Sequence, residues 1–265
     1  MTTAPLRPLM AVDVGNSRMK IGQFAGPPAA GLPEPVRCLD LNSEGWQEHE
    51  LRNWLAPLSE CAATWSIASV FREASSRLAA WLEQHRPADR VTLLTHADLP
   101  VRVQLPAPER VGIDRLLGAV AANRLRDPER SAIVIDLGSA ITVDLVSAAG
   151  DFLGGAILPG IGMSARALFE QTDQLPSVAM FHLDDPVPAL GTSTTTAIQA
   201  GLYWGAVGAI RELIARLAVD LPRPPQVFLT GGAAPVVAGL LGVEVIYLPH
   251  LVLAGIALVQ AAPEP

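Results

Sequence analysis

Cysteine is scarce in this chain. Cys38 and Cys61 are its only two in 265 residues, too few for a disulfide framework or a four-cysteine zinc site. Two reduced thiols fit a cytosolic protein. Basic charge is in deficit as well: 19 Lys and Arg stand against 26 Asp and Glu, for a net charge of -7. That excludes a sequence-independent nucleic-acid binder, which needs a basic face. Phosphate can still be held, by local backbone amides or a metal. Long apolar runs are missing. The most apolar stretches, such as 252–262, fall short of a membrane span, and no long apolar run precedes Asp13 to form a signal peptide. The expectation is a soluble, cytoplasmic chain with neither nucleic acid nor membrane as partner. The histidines, His49, His85, His96, His182 and His250, show no metal-ligand spacing. The chain has no G-x-x-x-x-G-K-[ST], no G-x-G-x-x-G and no G-x-S-x-G, so it carries no P-loop, dinucleotide fingerprint or nucleophile elbow.

What is present is an ordinary core-forming composition, 50% hydrophobic and 17% charged, which excludes a mainly disordered chain. Strands are expected at 9–14 and 19–24 around a tight Gly15-Asn16 turn, followed by a Gly/Pro/Ala loop at 25–35. Helical spacing covers 46–58 and 74–85, with buried strands at 66–70 and 91–94. An extended stretch at 101–111 leads to a helix at 113–125, which Pro128 ends. A second hairpin pattern follows, with strands at 132–137, 141–147 and 152–157. A helix at 163–171, a loop at 177–188 and one long or two abutting helices at 191–217 come next. Short strands at 227–230 and 244–247 and helices to about 241 and at 250–260 complete the chain.

The segments AVDVGNSRMKIG at Ala11 and VIDLGSAITVDL at Val134 share one pattern, an apolar strand carrying an Asp, a glycine turn, then another strand. Asp13 and Asp136 lie close to half a chain apart. The spacing is too long for a solenoid and points to two related α/β lobes, with coincidence between two glycine-turn hairpins as the alternative.

Five segments could carry chemistry. The turn Asp13-Val14-Gly15-Asn16-Ser17-Arg18-Met19-Lys20 exposes successive amides suited to phosphate oxygens. Ser17 adds a hydroxyl, Lys20 a point charge and Asp13 a carboxylate that could hold magnesium directly or through water. A plain hairpin turn explains the same residues. Gly112-Ile113-Asp114-Arg115 is either a helix cap with solvated charges or a general base, Asp114, beside an anion-binding Arg115. Asp136 to Asp144 offers a cation ligand in Asp136 and phosphate-binding hydroxyls in Ser139 and Thr142. The alternative there is a hairpin with Asp144 solvated at an exposed position. Thr230-Gly231-Gly232-Ala233 would let a flat ligand such as adenine approach the backbone, or is a strand-to-helix turn. In 191–196 the hydroxyls can cap the following helix, and one could bind a polar substrate. Gly201, Gly205 and Gly208 then give that helix a small-residue face for packing another helix, within the subunit or across a dimer.

Taken in order, the motifs D-x-G-N-S-x-x-K, G-x-D-R, D-x-G-S-A-x-T, L-G-G-A-I-x-P-G, G-T-S-T-T-T-A-I-Q-A-G and T-G-G resemble the type III pantothenate kinases. That family lies within the superfamily of actin, sugar kinases and acetate kinase, and the likeness spans about residues 10–258. It implies an α/β fold of two duplicated RNase H-like lobes, 1–120 with the first phosphate loop and 121–265 with the cation and adenosine-side motifs, closing over ATP. It also implies that Asp13 to Lys20 and Ser139 serve ATP with magnesium. Gly112, Ile113, Asp114, Arg115 and Thr194 would serve pantothenate, with Asp114 as proton acceptor. Asp136 would hold a monovalent cation, potassium or ammonium, and the chain would form a homodimer with the substrate pocket near its interface. The activity implied is ATP-dependent phosphorylation of pantothenate. The chain departs from the family at Leu105 and Ala107, where a Y-x-N-P element is common, and at Ser139 and Ile141, where threonines are usual. Ser139 keeps its hydroxyl. The change at Leu105 bears on pantothenate affinity, since buried polar recognition sets substrate choice. Two rival readings follow, a non-catalytic nucleotide-binding accessory homologue and a kinase of another small alcohol.

Overall fold

A computed structural model describes residues 7–26, 31–59, 61–180 and 187–261. Parts of the expected loops at 25–35 and 177–188, and His182, lie outside the described residues. Contacts divide the chain into two units, the residues to Leu125 with those from His250 onward, and Arg126–Pro249. This partition differs from a boundary at 120/121 by falling after Leu125 and by returning the last helix to the first unit.

The first unit is built on β1 (Leu9–Val14), β2 (Arg18–Phe24), β3 (Arg37–Asn42), β4 (Thr64–Ser69) and β5 (Arg90–Leu93), in the order β3-β2-β1-β4-β5. The first three strands are antiparallel and β4 and β5 run parallel to β1. Alternation sends Met10, Val12, Val14, Met19, Ile21, Trp65 and Ile67 to one face. There they pack with Leu51 and Leu55 of α1 (Glu48–Leu55) and Leu78, Trp81 and Leu82 of α2 (Arg72–His85). The other face carries Ala11, Asp13, Lys20, Gly22 and Ser66. It meets α7 (Leu251–Ala261), where Leu253 reaches Gly22 and Gln260 accepts a bond from Ser66 Oγ at 2.7 Å. α3 (Ile113–Leu125) packs on α7, with Gly255 against the Leu117 carbonyl. Both helices are apolar on most sides because both are buried on most sides.

The second unit repeats this plan. β6 (Ala132–Leu137), β7 (Ala140–Val146), β8 (Phe152–Pro159), β9 (Gln226–Thr230) and β10 (Val245–Tyr247) stand in the order β10-β9-β6-β7-β8. Again the first three strands are antiparallel and the last two parallel to the first. The duplicated α/β expectation is met in strand order and sense alike. One face packs on α5 (Thr194–Ala218), a single continuous helix, and on α6 (Ala234–Val237); α4 (Ile161–Glu170) packs on α5.

Three expectations change. β3 is a strand that the residue pattern left unassigned. β5 is an edge strand with every residue exposed, rather than buried. The helix after Gly232 is a single turn followed by a 3₁₀ turn, Ala238–Leu240. No helix among the described residues is long and apolar enough to cross a membrane.

Candidate active site

In the first unit, Asp13 pairs across the ladder with Lys20 on one side and Ala68 on the other, and Lys20 pairs with Asp40. Paired residues project to the same face, so a lysine stands in a row between two aspartates on the α7 side of the sheet. Val14 and Met19 are fully buried in the opposite core and offer the turn only their backbone. Asn16, Ser17 and Arg18 are exposed. The turn is closed by Gly15 N–H donating to Arg18 O at 3.0 Å. It is also pinned from outside. Buried Ser43, one residue past β3, donates its Oγ to Gly15 O at 2.7 Å and its amide to Ser17 O at 3.2 Å. The residue pattern gave no sign of Ser43, because it depends on the unassigned β3.

Beside this row, Cys38 Sγ lies 3.8 Å from both ring nitrogens of His250. Burial pushes the Cys38 thiol up, Asp40 adds to that, and Lys20 opposes it. Burial lowers His250, and Lys20 lowers it further, against Asp40 and Glu34. Both effects favour the uncharged forms.

Gly112 to Arg115 opens α3. Gly112 O accepts the amides of Arg115 at 3.1 Å and Leu116 at 3.4 Å, and Arg115 N–H also meets Asp114 Oδ1 at 2.9 Å. A Cβ on Gly112 would lie 2.5 Å from Asp114 Oδ1, so glycine is what allows the carboxylate to fold back over the helix start. Burial raises the Asp114 pKa, with the amide and charge of Arg115 pulling it down. The outcome is a carboxylate more basic than usual, the property a proton acceptor needs. His96 holds the carbonyl of Val111 at 2.7 Å. Leu105 is half-buried in the bend before the 3₁₀ turn Pro108–Arg110.

In the second unit, Asp136 holds the place Asp13 has in the first, fifth of a six-residue strand. Its ladder partners are Thr142 and Thr230. Gly231, at φ +96°, brings its backbone so close that a Cβ would lie 2.5 Å from both Asp136 Oδ1 and Leu137 O. Gly160 N–H donates to Ser139 O at 3.0 Å, as Ser43 does to Ser17 in the first unit. Asp144 is only 1% exposed. The solvated alternative for it is therefore corrected: its ladder partners are Val134 and Gly155, on the face of Asp136 rather than toward water. Carboxylate and hydroxyl oxygens dominate this row, a donor set suited to hard cations. Among the described residues no cluster of three His, Cys, Asp or Glu could cage a metal. Thr194 is exposed at the first position of α5, which Ser193 and Thr196 cap reciprocally, as the hydroxyl run predicts.

The predicted residues thus gather as two local constellations. Asp13 to Lys20 and Gly112 to Arg115 fall in the first unit, Asp136, Ser139 and Thr194 in the second.

The sequence profile described as type III pantothenate kinase matches residues 9–216. A type III pantothenate kinase of Dehalococcoides mccartyi strain CBDB1 is 36% identical, over 94% of this chain and 93% of the relative. One from Solibacter usitatus strain Ellin6076 is 31% identical, over 97% of each. Among solved structures, a glucokinase from an Antarctic psychrotroph aligns over 97% of this chain and 100% of its own at 11% identity, with a TM-score of 0.44. By profile and by identity along nearly its whole length, this chain belongs to the type III pantothenate kinase family.

Proposed function

We propose that the chain transfers the γ-phosphoryl group of ATP to the terminal hydroxyl of pantothenate, giving 4′-phosphopantothenate, the first step of coenzyme A biosynthesis in the cytoplasm. The observation that carries this reading is Asp114, a carboxylate made more basic by burial and folded back over a glycine at a helix start, in a chain of this family. As the hydroxyl oxygen attacks the γ-phosphorus, Asp114 takes its proton and ADP departs. Arg115, the Gly112-Ile113 backbone and Thr194 hold pantothenate. The amides of the Gly15 turn, the Ser17 hydroxyl and Lys20 hold phosphate oxygens, with Ser139 serving the same nucleotide. Charge balance and positioning supply most of the acceleration.

Magnesium fits as a companion of the nucleotide, with Asp13 reaching it directly or through water. The oxygen-rich row at Asp136 fits a potassium or ammonium ion. When bound, these ions neutralise charge on the phosphates.

We also assign a homodimer. A Cβ at Gly201, Gly205 or Gly208 would meet nothing within 4 Å beyond its own stretch of helix. Trp204 on α5 is exposed, as are Met163 and Phe169 on α4, the helix that packs on α5. A second copy covering that face would bury them, and sedimentation showing only monomer under assay conditions would remove this part.

The test is Asp114→Asn. Calorimetry should show ATP binding retained, while turnover falls by about 10² to 10⁴. Turnover near that of the unmodified chain would remove Asp114 as the base.

A further inference from the structure

Val111 and Gly112 share one peptide unit, whose carbonyl belongs to the first and whose N–H belongs to the second. A ring nitrogen of His96, Nε2, sits 2.7 Å from that carbonyl oxygen. A carbonyl can only accept, so Nε2 carries the proton and donates. His96 is itself fixed. It opens the 3₁₀ turn His96–Asp98, where Asp98 Oδ2 accepts both the amide and the hydroxyl of Thr95 at 2.7 Å. The turn ends on buried Leu99.

We propose that His96 is a positioning residue for the Gly112–Arg115 element, acting through the Val111–Gly112 peptide; this rests on the pantothenate kinase reading. The peptide is planar, so holding its oxygen sets the direction of the Gly112 N–H at the opposite edge. A donor on the carbonyl also polarises that N–H and makes it a stronger donor to a substrate. The anchor falls where it is most needed. Gly112 has no side chain to restrict its own torsions, and its conformation sets how Asp114 folds back, with the carboxylate oxygen 2.5 Å from where a Cβ would stand. His96 supplies the missing restraint from a separate segment, on the strand-to-helix connection that leads into α3.

His96→Gln and His96→Asn separate this role from bulk or solubility. Gln carries an amide nitrogen to about the reach of Nε2, and Asn falls one methylene short. With the full-length protein, His96→Asn should lower kcat/KM for pantothenate about tenfold, while His96→Gln stays within about twofold. Calorimetry should give both variants the ATP affinity of the unmodified chain. If His96→Asn yields no folded protein, His96→Leu, which keeps bulk without a donor, takes its place with the same expectation. Equal kcat/KM in the Gln variant and the donor-deficient one, whether both are low or both unchanged, overturns the role of His96, as does a loss shared by ATP affinity. If the unmodified protein makes no 4′-phosphopantothenate, the functional reading itself falls and this role with it.

Discussion

Gly231 stands against Asp136 with no room for a side chain. A Cβ would lie 2.5 Å from Asp136 Oδ1 and equally close to Leu137 O, and Gly231 has φ +96°. The turn after β9 thereby closes onto the end of β6 by direct backbone approach.

Gly231→Ala must therefore strain the backbone and displace either the carboxylate or the carbonyl. The expected loss is about 2–5 kcal/mol of stability, read as a lowered urea midpoint. An unchanged midpoint would mean that the turn moves aside freely.

In the proposed mechanism Asp114 links pH to both activity and stability. Burial raises its pKa above the ordinary 3.8, so the folded state holds this proton more tightly than the unfolded chain does. Its contribution to stability is full below the unfolded pKa and is lost as pH rises through the raised folded one. Activity runs the other way, since the base must be ionised. A pH series should show kcat/KM rising through a midpoint above 3.8, and Asp114→Asn should lose that acidic limb.

Ser43→Ala removes the hydroxyl that Gly15 O accepts at 2.7 Å. Leaving that carbonyl unsatisfied should cost about 1–3 kcal/mol of stability. Because the bond holds the Gly15 turn, which is proposed to take phosphate, KM for ATP should rise while KM for pantothenate changes little. Steady-state kinetics with each substrate varied would show the split.

Asp89 lies at the foot of the first unit's core. It accepts Ala63 N–H at 2.9 Å, Trp65 Nε1 at 2.8 Å and Arg86 Nε at 2.9 Å, with its side chain 1% exposed. Asp89→Ala leaves Arg86 and the indole without this partner. The expected destabilisation is about 3–5 kcal/mol, measured by denaturant unfolding, with kinetic constants unchanged at temperatures where the variant is folded.

The duplication was legible because glycine turns and matched aspartates repeat in the chain itself. Helix α3 and strand β6 were legible to the residue, since turn residues bound them on both sides. β3 was not: Arg37, Cys38, Asp40 and Asn42 give it a mixed edge pattern, and only pairing with β2 makes it a strand. Ser43 and His96 were illegible as supports for a related reason. Each acts on a carbonyl 15 or more positions away, and any residue type supplies a carbonyl. Asp144 reads as solvated because charged residues usually are, and its burial follows from the second unit's packing. The candidate residues Asp13, Lys20, Asp114, Arg115 and Asp136 could be named from the sequence because the chemistry proposed for them resides in side-chain identity.

The most direct measurement is mass-spectrometric detection of 4′-phosphopantothenate from purified protein, ATP, magnesium and pantothenate, with potassium, ammonium or sodium in parallel. The predicted result is product formed with potassium or ammonium and much less with sodium, which would also show that Leu105 is tolerated. Folded protein that binds ATP yet forms no product with any of the three cations would contradict the proposed activity.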